Sequence, residues 1–205
     1  STSPMRQELE NWDCAFNADS RAAVIFEEWW RSIVTLTWDE FFRLKSGAEI
    51  PGDLILLKMI AKDPTNDLFD LESTEKIETA DDIINLALEQ VEKTVDEKIT
   101  WGEVNSAKLI HLSNIDQLGR LNLLQGGHPR ALNAFTQDSG PSLRMIVDMS
   151  DRPKGYGIYA GGQTGNPASL DYQEFVQDWI DGKYYQLDFY QNQKEAKPNY
   201  KWILK

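Results

Sequence analysis

The sequence has little cysteine, little histidine and no long apolar run. Cys14 is the only cysteine among 205 residues, which excludes an intrachain disulfide. No run of about 18 apolar residues occurs, so the sequence predicts no membrane-spanning helix. His111 and His128, the only histidines, lack the spacing of paired metal ligands and lie far from Cys14. We therefore predict no metal site and no cofactor.

Basic residues are also few relative to acidic ones. The chain has 21 Lys and Arg against 33 Asp and Glu, for a formal charge of −12. Such a surface repels phosphate backbones and anionic lipid, so we expect neither nucleic acid nor membrane as a partner. Apolar residues make up 41% of the chain and include seven Trp, seven Tyr and eight Phe. This content is enough to fill a core and is typical of one folded domain or one large piece of a domain.

Residues 1–100 show mostly helical patterns. A first helix is predicted from Pro4, with Ser3 as its cap, to about Trp12. A longer helix is predicted after Asp19, as its cap, and its apolar residues recur at helical spacing. This stripe consists of Ala22, Ile25, Phe26, Trp29 and Ile33, and the segment continues through Phe41, Phe42 and Leu44 to Gly47.

Two further helices are predicted in this half. Residues 52–62 form an apolar helix that ends before Asp63-Pro64, because a residue preceding proline avoids the α region. The polar stretch 64–78 is predicted as a loop. Thr79 followed by Asp81 and Asp82 is typical of a helix start, and we expect that helix to end at Trp101-Gly102.

Residues 140–190 show strand patterns. Residues 113–140, rich in Asn, Gln and Gly, are predicted as a long loop. Strands at 143–149 and 156–160 then form a hairpin around the turn 151–155. A helix capped by Ser169 and ended by Gly182 leads into a last strand at 184–190. The sequence thus predicts an α+β chain with a mostly helical first half and antiparallel strands in the second.

Several motifs resemble those of the penicillin amidase family. Its members commonly show an R-x-V-V-D-L-S-D strand, a G-G-Q-S-G-N-P turn and a W-x-x-G-x-Y close. The corresponding residues here are Arg144 to Asp151, then Gly161, Gly162, Gln163, Thr164, Gly165, Asn166 and Pro167, and finally Trp179, Gly182 and Tyr184. Weaker marks precede them in the same order, namely Trp12-Asp13, Ala22-Ala23, Thr79 to Asp82 and Trp101-Gly102. The resemblance covers nearly the whole chain, residues 1–205, as the C-terminal segment of a β-subunit.

The resemblance implies a portion of the αββα sandwich of an N-terminal-nucleophile hydrolase. In that family, self-cleavage of a precursor exposes a nucleophile whose own α-amine acts as the base. The substrates are linear amides, including β-lactam acyl side chains and acyl-homoserine lactones. The resemblance also implies an exported, periplasmic or secreted parent, with the α-subunit and the N-terminal part of the β-subunit as partners. Since nothing here matches the nucleophile or the oxyanion donors, we expect the segment to be inactive alone.

Asp148 is the one candidate for a role near a reacting group. It stands in a strand among apolar neighbours, where an ionised carboxylate is costly without a partner. By resemblance it aligns with a carboxylate that orients a histidine beside the nucleophile. The alternative is a structural carboxylate bound by backbone amides or by an arginine other than Arg144, which lies about 13 Å away along the strand.

The turn formed by Gly161, Gly162, Gln163, Gly165, Asn166 and Pro167 is interpreted as structural. It lacks the lysine of a phosphate-binding loop, and its glycines suit positive φ and close backbone approach. Two alternatives to an inactive segment stay open. One is a stand-alone binding or scaffolding domain without catalysis. The other is a hydrolase that uses Ser1, although Ser1 begins a helix start and no apolar strand.

Overall fold

A computed structural model describes residues 3–43, 49–190, 192 and 194–196. The chain divides into two compact units, Ser1–Asn105 and Ser106–Lys205. We call them unit 1 and unit 2. Helices make up the first and antiparallel strands dominate the second, so the predicted α+β class is confirmed.

Unit 1 contains six helices within its described residues. They are α1 (Pro4–Glu10), α2 (Arg21–Thr37), α3 (Asp39–Arg43), α4 (Asp53–Lys62), α5 (Ala80–Thr94) and α6 (Trp101–Val104). The predicted cap of α1 is confirmed, because the Ser3 hydroxyl accepts a hydrogen bond from the backbone N–H of Arg6 at 3.2 Å. Leu44 and Gly47, in the predicted extension of the second helix, lie outside the described residues.

Two predicted helix boundaries in unit 1 are wrong. The cap of α2 is Ser20 and not Asp19, because the Ser20 hydroxyl accepts from the N–H of Ala23 at 3.2 Å. Helix α5 ends at Thr94 and does not reach Trp101. A separate helix starts there, since Thr100 and Glu103 form a capping box of their own.

The main core of unit 1 lies between α2, α4 and α5. Its fully buried side chains include Trp38, Leu56, Phe69 and Ile83. Phe69 comes from residues 64–78, which the sequence predicts as a polar loop. The loop contains a 3₁₀ turn, Asp67–Phe69, that places this ring in the core. The polar composition of the segment therefore does not reveal that one of its side chains is part of the core.

Unit 2 contains two antiparallel sheets. Strands β1 (Ala107–Leu109) and β2 (Arg120–Leu123) pair with each other, and the second sheet has the order β3-β4-β5. Its strands are β3 (Leu143–Asp148), β4 (Lys154–Tyr159) and β5 (Tyr185–Leu187). The predicted hairpin at 143–160 is confirmed, whereas the predicted long loop at 113–140 is wrong because it contains β2.

The helical segment after the glycine-rich turn is broken. Ser169 caps only a 3₁₀ turn, Leu170–Tyr172, and α7 (Val176–Ile180) follows separately. Trp179 of α7 packs with Ile158 of β4 and with Phe135, which forms the core on one face of the sheet. Within the described ranges, no helix is long and apolar enough to cross a bilayer.

Candidate functional site

The turn at 161–167 directly follows β4, and two of its glycines are required by geometry. Gly161 has φ +139°, a conformation that L side chains rarely adopt. At Gly162, an added Cβ would lie 1.8 Å from the carbonyl oxygen of Asp171. The expected positive φ and close approach are confirmed at these positions. Gly165 is different, because a Cβ there would meet nothing within 4 Å.

Hydrogen bonds close this turn onto the residues that follow it. The N–H of Gln163 donates to the carbonyl of Asp171, and the N–H of Phe175 donates to the carbonyl of Gly161, both at 2.9 Å. At the tip, the side-chain oxygen of Asn166 accepts from the N–H of Ala168 at 3.0 Å. These bonds hold the turn against the residues that follow it, and its tip, including Pro167, lies at the surface.

The glycine pair also lines a cleft of unit 2. The cleft has a volume of about 610 Å³ and lies between this turn and the β1–β2 hairpin. Its charged groups are Lys108, Arg120 and Asp138. Arg120 donates to the side-chain oxygen of Gln173 at 3.1 Å, and the Tyr172 hydroxyl donates to the carbonyl of Leu118 at 2.9 Å.

The chemistry of this cleft is that of a binding surface. His111 is its only imidazole, and the Nδ1 of His111 accepts from the N–H of Ser113 at 3.1 Å. Among the described residues that line it, the hydroxyl groups belong to Thr164 and Tyr172, and the Thr164 hydroxyl accepts from the N–H of Asn166 at 3.2 Å. Neither hydroxyl bonds to a basic side chain among the described residues, so the nucleophile and adjacent base that acyl transfer requires are not assembled in this cleft.

Asp148 is not buried, contrary to the expectation from its neighbours. It is the last residue of β3, opposite Lys154, and its carboxylate is exposed. One oxygen accepts from the N–H of Ser150 at 3.0 Å. The reason is that α7 covers the sheet only near Ile158, so the far end of β3 has no cover within unit 2.

Arg144 links two of the family motifs, its own strand and the motif that begins at Trp179. Its guanidinium donates to the carbonyl of Trp179 and lies 5.6 Å from the centre of the Trp179 ring. Phe135 lies against the same group, at 5.3 Å. The indole N–H of Trp179 donates to the carbonyl of Pro141 at 3.0 Å. These contacts fix α7 against β3, so Arg144 and Trp179 have a structural role.

A charged cluster links the end of α7 to β5. The ammonium of Lys183 bridges Asp178 and Asp181 at 3.0 Å each, and the hydroxyl of Tyr185 donates to Asp178. The hydrogen bond from Tyr185, followed by that from Lys183, lowers the pKa of Asp178. The same bond to Asp178 raises the pKa of Tyr185. The cluster therefore stabilises the packing of the end of α7 against β5 at the surface.

The remaining candidates do not form a further site. The Nδ1 of His128 accepts from the N–H of Arg130 at 3.2 Å, a local turn contact like that of His111. No group of three or more metal-ligating side chains occurs among the described residues. Ser1 lies outside them.

Sequence reasoning missed the cleft because it missed the β1–β2 hairpin. Both strands are short, of three and four residues, and β2 lies within residues 113–140, whose Asn, Gln and Gly content predicts a loop. Phe135, buried under Trp179, also fell within the predicted loop. Phe135 is the one aromatic residue in residues 113–140. A single large aromatic side chain in an otherwise polar segment is the signal that could have predicted this core contact.

A protein-family model identifies the family of this chain. A family model described as penicillin amidase matches residues 1–196. The chain belongs to the penicillin amidase family. The marks that carried the resemblance therefore correspond to structural contacts of a family member.

Two curated relatives are acyl-homoserine lactone acylases by name. The acyl-homoserine lactone acylase QuiP of Pseudomonas aeruginosa is 37% identical over 49 residues, which is 24% of this chain and 6% of that protein. The acyl-homoserine lactone acylase QuiP of Pseudomonas fluorescens is 28% identical over 95 residues, 42% of this chain and 12% of that protein. The chain thus matches only a small part of the length of these relatives.

The family marks in unit 1 also have structural roles. The N–H of Gly102 donates to the carbonyl of Ala18 at 2.7 Å, and a Cβ at Gly102 would lie 2.9 Å from that oxygen. Trp101 is buried and its ring lies 4.9 Å from that of Phe16. In this penicillin amidase family member, Trp101-Gly102 locks the start of α6 against the loop before α2.

Proposed function

We propose that this chain is the C-terminal part of the β-subunit of an amidohydrolase that cleaves linear amides, and that it is inactive alone. The family match over residues 1–196 supports the reaction class. The small matched share of both curated acylases supports a larger parent. The partners are then the α-subunit and the N-terminal part of the β-subunit, and the parent is periplasmic or secreted.

One observation from the structure carries the proposal. On the face of the sheet opposite Trp179, apolar side chains stand uncovered on both sides of β4. We call this set the open face, and it consists of Leu143, Met145, Val147, Leu187 and Phe189. Leu143 is 58% exposed and Met145 59%, values that are unusual for alternate residues of one strand.

The middle of the open face is flat because β4 has glycines there. Gly155 pairs with Val147 and with Leu187, and Gly157 pairs with Met145. The Leu187 side chain lies 3.3 Å from where a Gly157 Cβ would stand, so it extends across β4. A flat apolar face suits packing against a second sheet about 10 Å away, as in the sandwich that the family resemblance implies.

In such a parent, the reacting groups come from outside this chain. An N-terminal Ser, Thr or Cys attacks the amide carbonyl and its own α-amine takes the proton. Backbone and amide donors stabilise the oxyanion. The chain's contribution is the sheet and the helices that hold those groups in position. We propose acyl-homoserine lactones or amides with similar acyl groups as substrates, because both curated relatives are named for that activity.

Asp148 remains a proposed positioning residue. Its carboxylate is exposed, so a histidine from the rest of the parent has access to it. Asp148→Asn in the parent should then lower kcat and shift the pH profile of kcat, with KM little changed. A purely structural carboxylate would leave the pH profile unchanged.

A non-catalytic binding domain is the second candidate. The cleft of about 610 Å³, with Lys108 and Arg120 on its walls, favours that role. The two candidates differ in what the parent does, since only the first predicts amide hydrolysis.

The test compares the product of the complete gene with this chain alone. Both are incubated with an N-acyl-homoserine lactone and with a phenylacetyl amide, and the released amine is measured. We expect release only from the parent after self-cleavage, and none from a parent whose nucleophile is replaced by alanine. Hydrolysis by the chain alone that is lost on Ser1→Ala would contradict inactivity. A processed parent that cleaves neither amide would favour the binding role.

A further inference from the structure

Helix α4 carries an apolar surface that unit 1 does not cover. Only Leu56 is fully buried, whereas Leu54 is 74% exposed and Leu57 48% exposed. Leu54, Leu57 and Ala61 are three and four residues apart, so they form one stripe along the helix. All three are exposed, and a helix that is apolar nearly all round is normally buried on more than one side.

Two lysines lie along one side of this stripe, and Asp53, one turn before Leu57, lies at the start of its other side. Lys58 lies one turn after Leu54, and Lys62 lies one turn after Lys58. Neither makes an ion pair with a carboxylate in the described part of the chain. Unit 1 has 10 basic and 23 acidic residues, a net charge of −13. A cationic edge beside an apolar stripe is therefore a local exception on an acidic surface.

We propose that the stripe Leu54–Leu57–Ala61 docks an amphipathic helix that has carboxylates beside its own apolar stripe and belongs to the rest of the precursor. This inference rests on the proposed function only in placing the partner helix in the same precursor. Ridges formed by residues three and four apart fit the grooves of another helix. Carboxylates on that helix would pair with Lys58 and Lys62.

Charge disfavours the other occupants of this surface. In a second copy, an antiparallel α4 would bring the same lysines opposite each other, which costs energy. A net charge of −13 on unit 1 repels an anionic lipid surface, against which two lysines contribute only about 1 kcal/mol each. A helix with acidic residues beside an apolar stripe complements both the apolar stripe of α4 and the two lysines beside it.

The test places a photo-crosslinking amino acid at Leu57 in the complete precursor. After self-cleavage and purification, irradiation and peptide mapping identify what lies against α4. We expect a crosslink to a helical segment with carboxylates, outside residues 1–205. We also expect K58E/K62E to reduce its yield several-fold. The same amino acid at Glu89, an exposed position on α5, is the matched control and should give no such crosslink.

Each other outcome overturns the docking proposal. These are a crosslink to a second copy of the chain, a crosslink to lipid, and an unreacted probe. Amide hydrolysis is measured on the same preparation before irradiation. An active preparation without the crosslink refutes the docking alone, whereas a crosslinked preparation without hydrolysis refutes the proposed function alone.

Discussion

Unit 1 and unit 2 distribute their apolar residues in opposite ways. Among the described residues, unit 1 has sixteen buried apolar residues and six exposed large ones, whereas unit 2 has six buried and sixteen exposed. Their charges differ as well, with −13 in unit 1 against 11 basic and 10 acidic residues, or +1, in unit 2. Unit 1 therefore has a core and a solvated surface of its own, while unit 2 leaves much of its apolar surface exposed.

The largest expected effect comes from removing a core ring in each unit. Trp179→Ala in unit 2 and Phe69→Ala in unit 1 should each cost about 3–5 kcal/mol of unfolding free energy. Because unit 2 buries so few apolar residues, we expect Trp179→Ala to unfold it in the isolated chain. Phe69→Ala should lower the melting temperature of unit 1 and leave it folded.

Limited proteolysis and two-dimensional NMR distinguish the two results. Rapid cleavage confined to residues 106–190 is expected for the first variant. Equal resistance of both variants to protease would contradict the difference between the units.

A smaller effect is expected from Gly162→Ala. The added Cβ would lie 1.8 Å from the carbonyl oxygen of Asp171, so the turn must open. We expect a loss of about 1–3 kcal/mol, the range for overpacked interiors. Gly165→Ala is the matched control, because it meets nothing within 4 Å and should stay within about 0.5 kcal/mol of the original. Urea denaturation followed by fluorescence measures both, and equal losses would refute the close approach.

The pH dependence of unit 1 should reveal the contacts of Asp82. A hydrogen bond from Lys76, followed by those from Thr79, lowers the pKa of Asp82 from 3.8 to about 2. A lowered pKa stabilises the folded state above the unfolded pKa of 3.8, and this contribution is lost as the pH falls through about 2. We therefore expect Asp82→Asn to lower the melting temperature at pH 6 and to lower it much less at pH 2, where part of this contribution is already lost.

Asp81→Asn is the control for this experiment. It removes a neighbouring first-turn carboxylate that experiences the same helix dipole but lies outside the capping box. A pH dependence shared by both variants would assign the effect to the dipole and not to the contacts of Asp82.

The smallest change in stability is expected on the open face. Met145→Lys replaces a side chain that is already 59% exposed, so the unfolding free energy should change by less than about 0.5 kcal/mol. The same variant should reduce self-association of the isolated chain, which we expect because of its exposed apolar surface. Ile77→Lys, at a 79% exposed site in unit 1, is the control and should leave association unchanged. Sedimentation velocity measures the association of both variants and of the original chain. If all three are monomeric, the open face does not drive self-association.

The sequence predicts the elements whose signals are local. The Ser3 cap, the helix start at Thr79 and the end of α4 before Pro64 all depend on residues within one turn. The hairpin 143–160 was predictable because strong strand residues flank a clear turn. Ser20 was confused with Asp19 because both residue types cap helices equally well.

Features that depend on distant contacts were not predictable. The burial of Phe69 in a polar stretch requires the core that α2 and α5 provide. Strand β2 is stable only by pairing with β1, since its four residues have no pattern of their own. The exposure of Asp148 depends on how far α7 reaches across the sheet, which no local pattern encodes.

Hydrogen–deuterium exchange on the isolated chain and on the mature parent tests the central claim most directly. We expect exchange in residues 143–148 and 185–189 to slow strongly in the parent, because the open face becomes covered. Residues 21–37 should change little, because unit 1 already buries α2. Equal exchange in both proteins at residues 143–148 would contradict the account, since the sheet would then need no partner.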